Sequence, residues 1–368
     1  MTDDPRIDQT LDGRYVLRRR IGKGGMGVVY EAEHLALERR VAVKLIAPHE
    51  AAAAPSGFVE RFRREARLAS RIAHEHLVHI YDVGTHEGSE YLVMELVVGR
   101  DLRDELVAGA LSFARAASIM RQLLSALAAI HDAGIVHRDI KPANVMLTTH
   151  GDERDYVKLM DFGIARGLED TNLTKTGHVV GTASFMAPEQ LRGKPVDHRS
   201  DLYAAGVTLF AMLAGRLPFD GNTAEVAGAH VFQAPPSLLA LRPGTPPALA
   251  AVVERALAKS PDDRFADARA FAAALASAIE APVAARAPDR VATAVERPVP
   301  PARTSSRGRG LVAIAVAAAA ALGGVAGFVA RGTAGREATP APATALPSAP
   351  PPPTRPPAET VAAAAVEP

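Results

Sequence analysis

"HRDIKPANV", His137–Val145, is the stretch that decides the fold. Nine residues hold a carboxylate, an ammonium, a carboxamide, a guanidinium and an imidazole, set among apolar Ile140, Val145 and Met146. A segment meant only for a core would not carry them, because a buried charge without partners is costly. Asp139, Lys141 and Asn144 stand at offsets 0, +2 and +5.

Working outward, "DFG" follows at Asp161–Gly163, a carboxylate beside an aromatic ring and a flexible glycine. Upstream, "IGKGGMGVVY" carries Gly22, Gly24 and Gly27 in a G-x-G-x-x-G pattern. Such a pattern alone is weak, since glycines recur wherever backbone must approach something closely. A dinucleotide fingerprint needs a helix after the glycines. Here two strand-like runs follow, "VVYEAEH" and "RVAVKLI", so the loop reads as a hairpin tip. No Lys-Ser/Thr follows as a Walker loop requires. Lys44 sits inside the apolar run "VAVKLI" and needs a partner or an escape to water. Glu65 is the expected partner, because it shares a helix face with Phe62 and Ala69. Glu60 lies about 140° round the same helix.

Asp139 can accept a proton from a hydroxyl, Lys141 can neutralise a transferring phosphoryl group, and Asn144 can ligate a hard cation. Asp161 supplies the stronger metal ligand. Phosphoryl transfer needs this set: cations to gather charge, a carboxylate to orient the nucleophile and a lid on the phosphates.

The wider chain has 368 residues, no cysteine, no tryptophan and a formal charge of +1. Disulfides and thiolate metal sites are excluded, and the whole chain has no polyanion-binding signature. "RRR" at 18–20 and "RR" at 39–40 read as solvated faces of strands and a turn, so no nucleic-acid partner is expected. His74, His76 and His79 lack a standard zinc spacing. Strand patterns dominate early, with a hairpin turning at Glu87-Gly88-Ser89. Helical patterns dominate later, in "FARAASIMRQLLSALAAIHDAG", "SDLYAAGVTLFAMLAG" and "PALAAVVERALAK". An α+β domain of two lobes is predicted.

Residues 1–14 read as a polar tail with no secretory signal, 15–279 as the folded domain and 280–309 as a Pro/Ala/Arg linker. Residues 310–330, "GLVAIAVAAAAALGGVAGFVA", are uncharged. As a helix they reach about 32 Å against a hydrocarbon core of about 30 Å. A single membrane span is expected, with the folded domain on the cytoplasmic side by the flanking arginines, at the cell (inner) membrane. Gly323 and Gly327 form a G-x-x-x-G, a spacing that arises readily by chance in so Ala/Gly-rich a run. Residues 331–368 form a Pro/Ala-rich tail on the outer side.

Six stretches taken in order resemble a known family: the Gly loop, "VAVK", Glu65, "HRDIKPAN", "DFG" and "MAPE", with "DLYAAGV" beyond. The chain resembles a bacterial, eukaryotic-like (Hanks-type) serine/threonine protein kinase of the single-pass membrane type. The resemblance runs from Tyr15 to about Ile279. It implies a protein-kinase-like fold, with a β-rich N-lobe, a helical C-lobe and ATP with Mg²⁺ (or Mn²⁺) in the cleft. It implies that Ile21, Gly22, Lys23, Gly24, Gly25, Met26 and Gly27 cover the phosphates. Val29, Ala42 and Met146 would sandwich adenine, with Met94 as gatekeeper and the backbone of Glu95 and Val97 at the base edge. Lys44 and Glu65 would place the α- and β-phosphates, and Asn144 and Asp161 the metal. Asp139 would serve the substrate hydroxyl and Lys141 the γ-phosphate.

"DIKPAN" and Thr182 resemble the serine/threonine subtype, while Phe185 replaces the commoner tyrosine. Arg138 marks relatives whose activation loop is ordered by phosphate, which implies autophosphorylation at Thr174 and Thr176 in "LTKT". A second copy would serve for trans-phosphorylation. Arg264 matches the arginine that pairs with the glutamate of the APE motif, here Glu189. The rival class is a pseudokinase scaffold. It normally lacks one of Lys44, Asp139, Asn144 or Asp161, and all four are present.

Overall fold

The computed structural model describes residues 4–24, 27–46, 58–161 and 183–280. These lie within the first of two compact units, residues 1–291. The expected linker, membrane span and tail, and the loop bearing Thr174, Thr176 and Thr182, fall outside the described residues.

The chain opens with β1 (Thr10–Leu11), β2 (Tyr15–Gly24), β3 (Gly27–His34) and β4 (Arg39–Ile46). Helix α1 (Phe58–Ala69) and strands β5 (Ile80–His86) and β6 (Ser89–Met94) follow. All six strands form one antiparallel sheet, ordered β1-β2-β3-β4-β6-β5. Glu87 and Gly88 both take positive φ between the paired His86 and Ser89. That backbone is the two-residue turn whose twist suits a hairpin.

Side chains alternate between the faces of a strand. On β4, Val41, Val43 and Leu45 join Tyr30, Tyr91 and Val93 in an outer cluster covered by Leu11 and Tyr15. Ala42 and Ile46 face the other way, onto Phe62, Ala66 and Ala69 of α1. Lys44 falls on this inner face by parity. The arginines of the two basic runs are spent on ion pairs or a ring. Arg18 meets Glu33, Arg19 and Arg40 meet Glu31, Arg20 meets Asp4, and Arg39 lies over Tyr81.

Beyond the sheet come β7 (Arg100–Asp101), α2 (Leu102–Leu106) and α3 (Phe113–Asp132), then β8 (Val145–His150) and β9 (Glu153–Leu159). Strands β7, β8 and β9 form a small second sheet within the helical half, which the sequence reading did not separate from its surroundings. Helices α4 (Pro188–Leu191), α5 (His198–Ala214), α6 (Thr223–Phe232), α7 (Leu238–Leu241), α8 (Pro247–Ala256) and α9 (Ala268–Glu280) complete the lobe.

Helix α3 starts where the Ser112 hydroxyl accepts the Arg115 amide, satisfying one of the orphan N–H groups of a helix start. It buries Ile119, Met120, Leu123, Leu124, Leu127 and Ile130. Among the described residues only α3 is long and apolar enough to cross a membrane, and it packs instead against α5, α9 and β9. Helix α5 is buried along nearly its whole length and ends at Gly215, whose φ of 70° is the left-handed cap that glycine adopts without strain.

Candidate active site

The stretch from His137 to Asn144 is fastened from below by α5. The Asp201 carboxylate, buried, accepts the His137 amide at 2.8 Å, the Arg138 amide at 2.8 Å and His131 Nε2 at 2.9 Å. Arg138 takes a φ of 65°, costly for a residue with a Cβ, and those two amide bonds hold it there. Burial, only partly offset by Asp201 and Asp139, lowers the pKa of His137. The ring is therefore neutral, with Nδ1 near the Asp139 amide at 3.3 Å and Nε2 near the Met160 carbonyl at 3.1 Å. Both contacts are met if Nε2 carries the proton. His137 thus joins the strip to the residue before Asp161.

Within the strip, Asp139 Oδ2 accepts from Lys141 Nζ at 2.9 Å and from Asn144 Nδ2 at 2.9 Å. Asn144 Nδ2 also donates to the Asp139 carbonyl at 2.7 Å. Both amide hydrogens are thereby used, which leaves Oδ1 as the cation-binding end of Asn144. The short 3₁₀ turn Pro142–Asn144 leads straight into β8, and the Asn144 carbonyl takes the Met160 amide at 2.8 Å. One bond therefore sets the spacing between Asn144 and Asp161.

Lys44 Nζ lies 2.8 Å from Asp161 Oδ1. This corrects the sequence expectation. Among the described residues no ion pair joins Lys44 to Glu65, and the charges acting on Glu65 are those of Arg138, Arg61 and Arg64. Burial raises the Glu65 carboxyl, and those arginines offset only part of the rise. Arg63 grips the buried Glu90 of β6 with two bonds, at 2.8 and 2.9 Å, and fixes where α1 rests against the sheet. Burial would also raise Asp161, but the Lys44 ammonium, as a charge and as a donor, leads the opposing effects that leave the carboxyl below its usual value. Asp161 is held ionised, as a metal ligand must be.

Other expected residues sit around Lys44 on the first sheet. Lys44 stands opposite Val29 and Leu92, and Ala42 stands opposite Met94, so these five share the inner face. Gly22 and Gly24 pair with Val29 and Gly27 at the tip of the β2–β3 hairpin, with Ile21 and Lys23 beside them. At Gly27, φ is 145° and a Cβ would run into the Leu45 carbonyl, so only glycine fits. Gly25, Met26 and Thr182 lie outside the described residues. Among the described residues no three acidic or imidazole side chains gather as a metal cage. Asn144 and Asp161 suit Mg²⁺ instead, which takes few protein ligands and fills its shell with phosphate oxygens and water. Away from the cleft, Arg264 meets Glu189 with Nη1–Oε1 at 2.7 Å and Nη2–Oε2 at 2.8 Å. Sequence reading assigned no role to Asp201, His131, Met160 or Lys158. An acid at the start of so apolar a helix as α5 was the available signal for Asp201.

This fold and cleft define a class, and comparison with known proteins agrees. Residues 15–274 match the protein kinase domain, and the chain belongs to the protein kinase family. It is 41% identical over 302 residues to the serine/threonine-protein kinase PknE of Mycobacterium tuberculosis, covering 81% of this chain and 52% of that one. Against PrkC of Bacillus subtilis it is 40% identical over 277 residues, covering 75% and 42%. The chain thus spans about half the length of these curated relatives. The crystal structure of the M. tuberculosis PknI kinase domain superposes with a TM-score of 0.61 at 33% identity, covering 74% of this chain and 98% of that one.

Proposed function

We propose that the chain is a protein serine/threonine kinase that moves the γ-phosphate of ATP to protein hydroxyls. The observation that carries this is the meeting of Lys44, from the sheet, with Asp161, 117 residues on, beside the Asp139–Lys141–Asn144 cluster. A merely structural ion pair would not stand beside a second acid–cation cluster at the mouth of a glycine-edged cleft. Mg²⁺, held by Asn144 Oδ1 and Asp161, would neutralise phosphate charge. Lys44 then turns from Asp161 to the α- and β-phosphates. Asp139 orients the substrate hydroxyl and takes its proton as oxygen bonds to the γ-phosphorus and the bond to the bridging oxygen of ADP breaks. Lys141 moves from Asp139 to the transferring group and balances its charge.

The test is incubation of the full chain with Mg-ATP and mapping of phosphate by mass spectrometry. Phosphate on serine or threonine, foremost Thr174 and Thr176, is expected. A folded chain that binds ATP and carries no phosphate on any hydroxyl would overturn the reading. For residues 310–330 the proposal is a single span that anchors the kinase domain on the cytoplasmic side. Its support is the uncharged 21-residue run with arginines before it. Deleting 310–330 should move the protein from the carbonate-washed membrane pellet to the soluble fraction. A full-length chain already in the soluble fraction would contradict the span.

A further inference from the structure

The adenine side of the cleft holds a buried-edge ion pair to which none of the roles above has been given. Lys158 lies on β9 directly opposite Met146 on β8, so both side chains leave the same face of that hairpin. From there Lys158 Nζ reaches Glu95 Oε2 at 3.0 Å and the Leu77 carbonyl at 3.4 Å. Glu95 is also tied twice to His79. Its amide donates to the His79 carbonyl at 2.8 Å, and its Oε2 accepts the His79 amide at 3.3 Å. The two side chains are 16% and 28% exposed, so water screens this pair less than one on an open surface. The lysine therefore spans from the strand opposite Met146 to the stretch 94–97 at the end of β6, which by the family resemblance is the hinge between the lobes.

We propose that Lys158 is a positioning residue for the base of the nucleotide: it clamps the Glu95 carboxylate and so fixes the hinge backbone that selects adenine over guanine. This rests on the reading that the backbone of Glu95 and Val97 meets the base edge. Adenine presents an amine donor where guanine presents a carbonyl oxygen. A hinge carbonyl held in place accepts from the first and repels the second, and selectivity of this kind depends on the acceptor not turning away. With the clamp cut, Glu95 keeps its bonds to His79 but loses its cation, and the carbonyl gains freedom to tilt.

The experiment uses the full chain and Mg-ATP or Mg-GTP as probes. Lys158→Met keeps the aliphatic stem and removes the charge. Glu95→Gln removes the other half, and the double variant and the exchanged pair Lys158→Glu/Glu95→Lys complete the set. Either single change should raise KM for ATP and lower the ATP-to-GTP ratio of kcat/KM by about five- to tenfold, and Lys158→Met should leave kcat within about twofold. The double variant should be no worse than either single one, and the exchanged pair should recover part of the ratio. An unchanged ratio, additive losses, or a fall in kcat at constant KM would each overturn the proposal. Equilibrium binding of the two nucleotides gives the same ratio without catalysis. A wild type that prefers ATP in binding but transfers nothing would overturn the kinase reading and leave the clamp to be judged on that binding ratio.

Discussion

Arg264 shows how much one residue can hold in this molecule. Its side chain is fully buried, and it takes both oxygens of Glu189 while also donating to the carbonyls of Ala258, Arg199 and Lys259. The Ser200 hydroxyl adds a bond to Glu189. Burial would raise the Glu189 carboxyl, but Arg264, and then Ser200, carry it below its usual 4.5. A lowered folded-state pKa gives stability that is present above about pH 4.5 and is lost as pH falls through the folded value. Glu189→Gln should therefore cost about 3 kcal/mol at pH 7, since it leaves a buried guanidinium without its counter-charge. The gap from wild type should close as pH drops below about 4.5. Urea unfolding at pH 7, 5, 4 and 3 reads both, and a gap that persists unchanged at pH 3 would contradict the assignment.

At the scale of elements, the sequence carried the fold where period and turn chemistry agreed. The β5–β6 hairpin turned where Glu87-Gly88 permits two positive φ angles. Helix α3 follows its apolar spacing, and strands rather than a helix follow the glycine loop. Less legible was the β7–β8–β9 sheet, whose short strands run through polar residues and whose register depends on distant partners. Harder still was the partner of Lys44. The helix face of Glu65 was read from spacing, but spacing does not say where a helix sits. Arg63 on Glu90, 27 residues apart, ties α1 to the sheet, and Asp161 takes the ammonium. The acid–cation–amide offsets of the strip were visible in sequence. The carboxylate of Asp201 beneath it was not, because it arrives from a helix more than 60 residues later.

For the molecule as a whole, the two lobes divide the chemistry. The sheet supplies Lys44 and the glycine hairpin; the helical lobe supplies Asp139, Lys141, Asn144 and, after β9, Asp161. Lys44 is bonded to Asp161 and, among the described residues, has no ion pair to Glu65; on the proposed reading this pair loosens before phosphates take the ammonium. The central claim is that Asp139 serves transfer and not binding. Its most direct test is the rate of phosphate transfer and the ATP affinity of Asp139→Asn, measured side by side with the unaltered full chain. The account predicts a rate lower by about 10²- to 10⁴-fold with ATP affinity within about twofold. A variant that transfers phosphate at the unaltered rate, or one whose loss of rate is matched by loss of ATP binding, would contradict it.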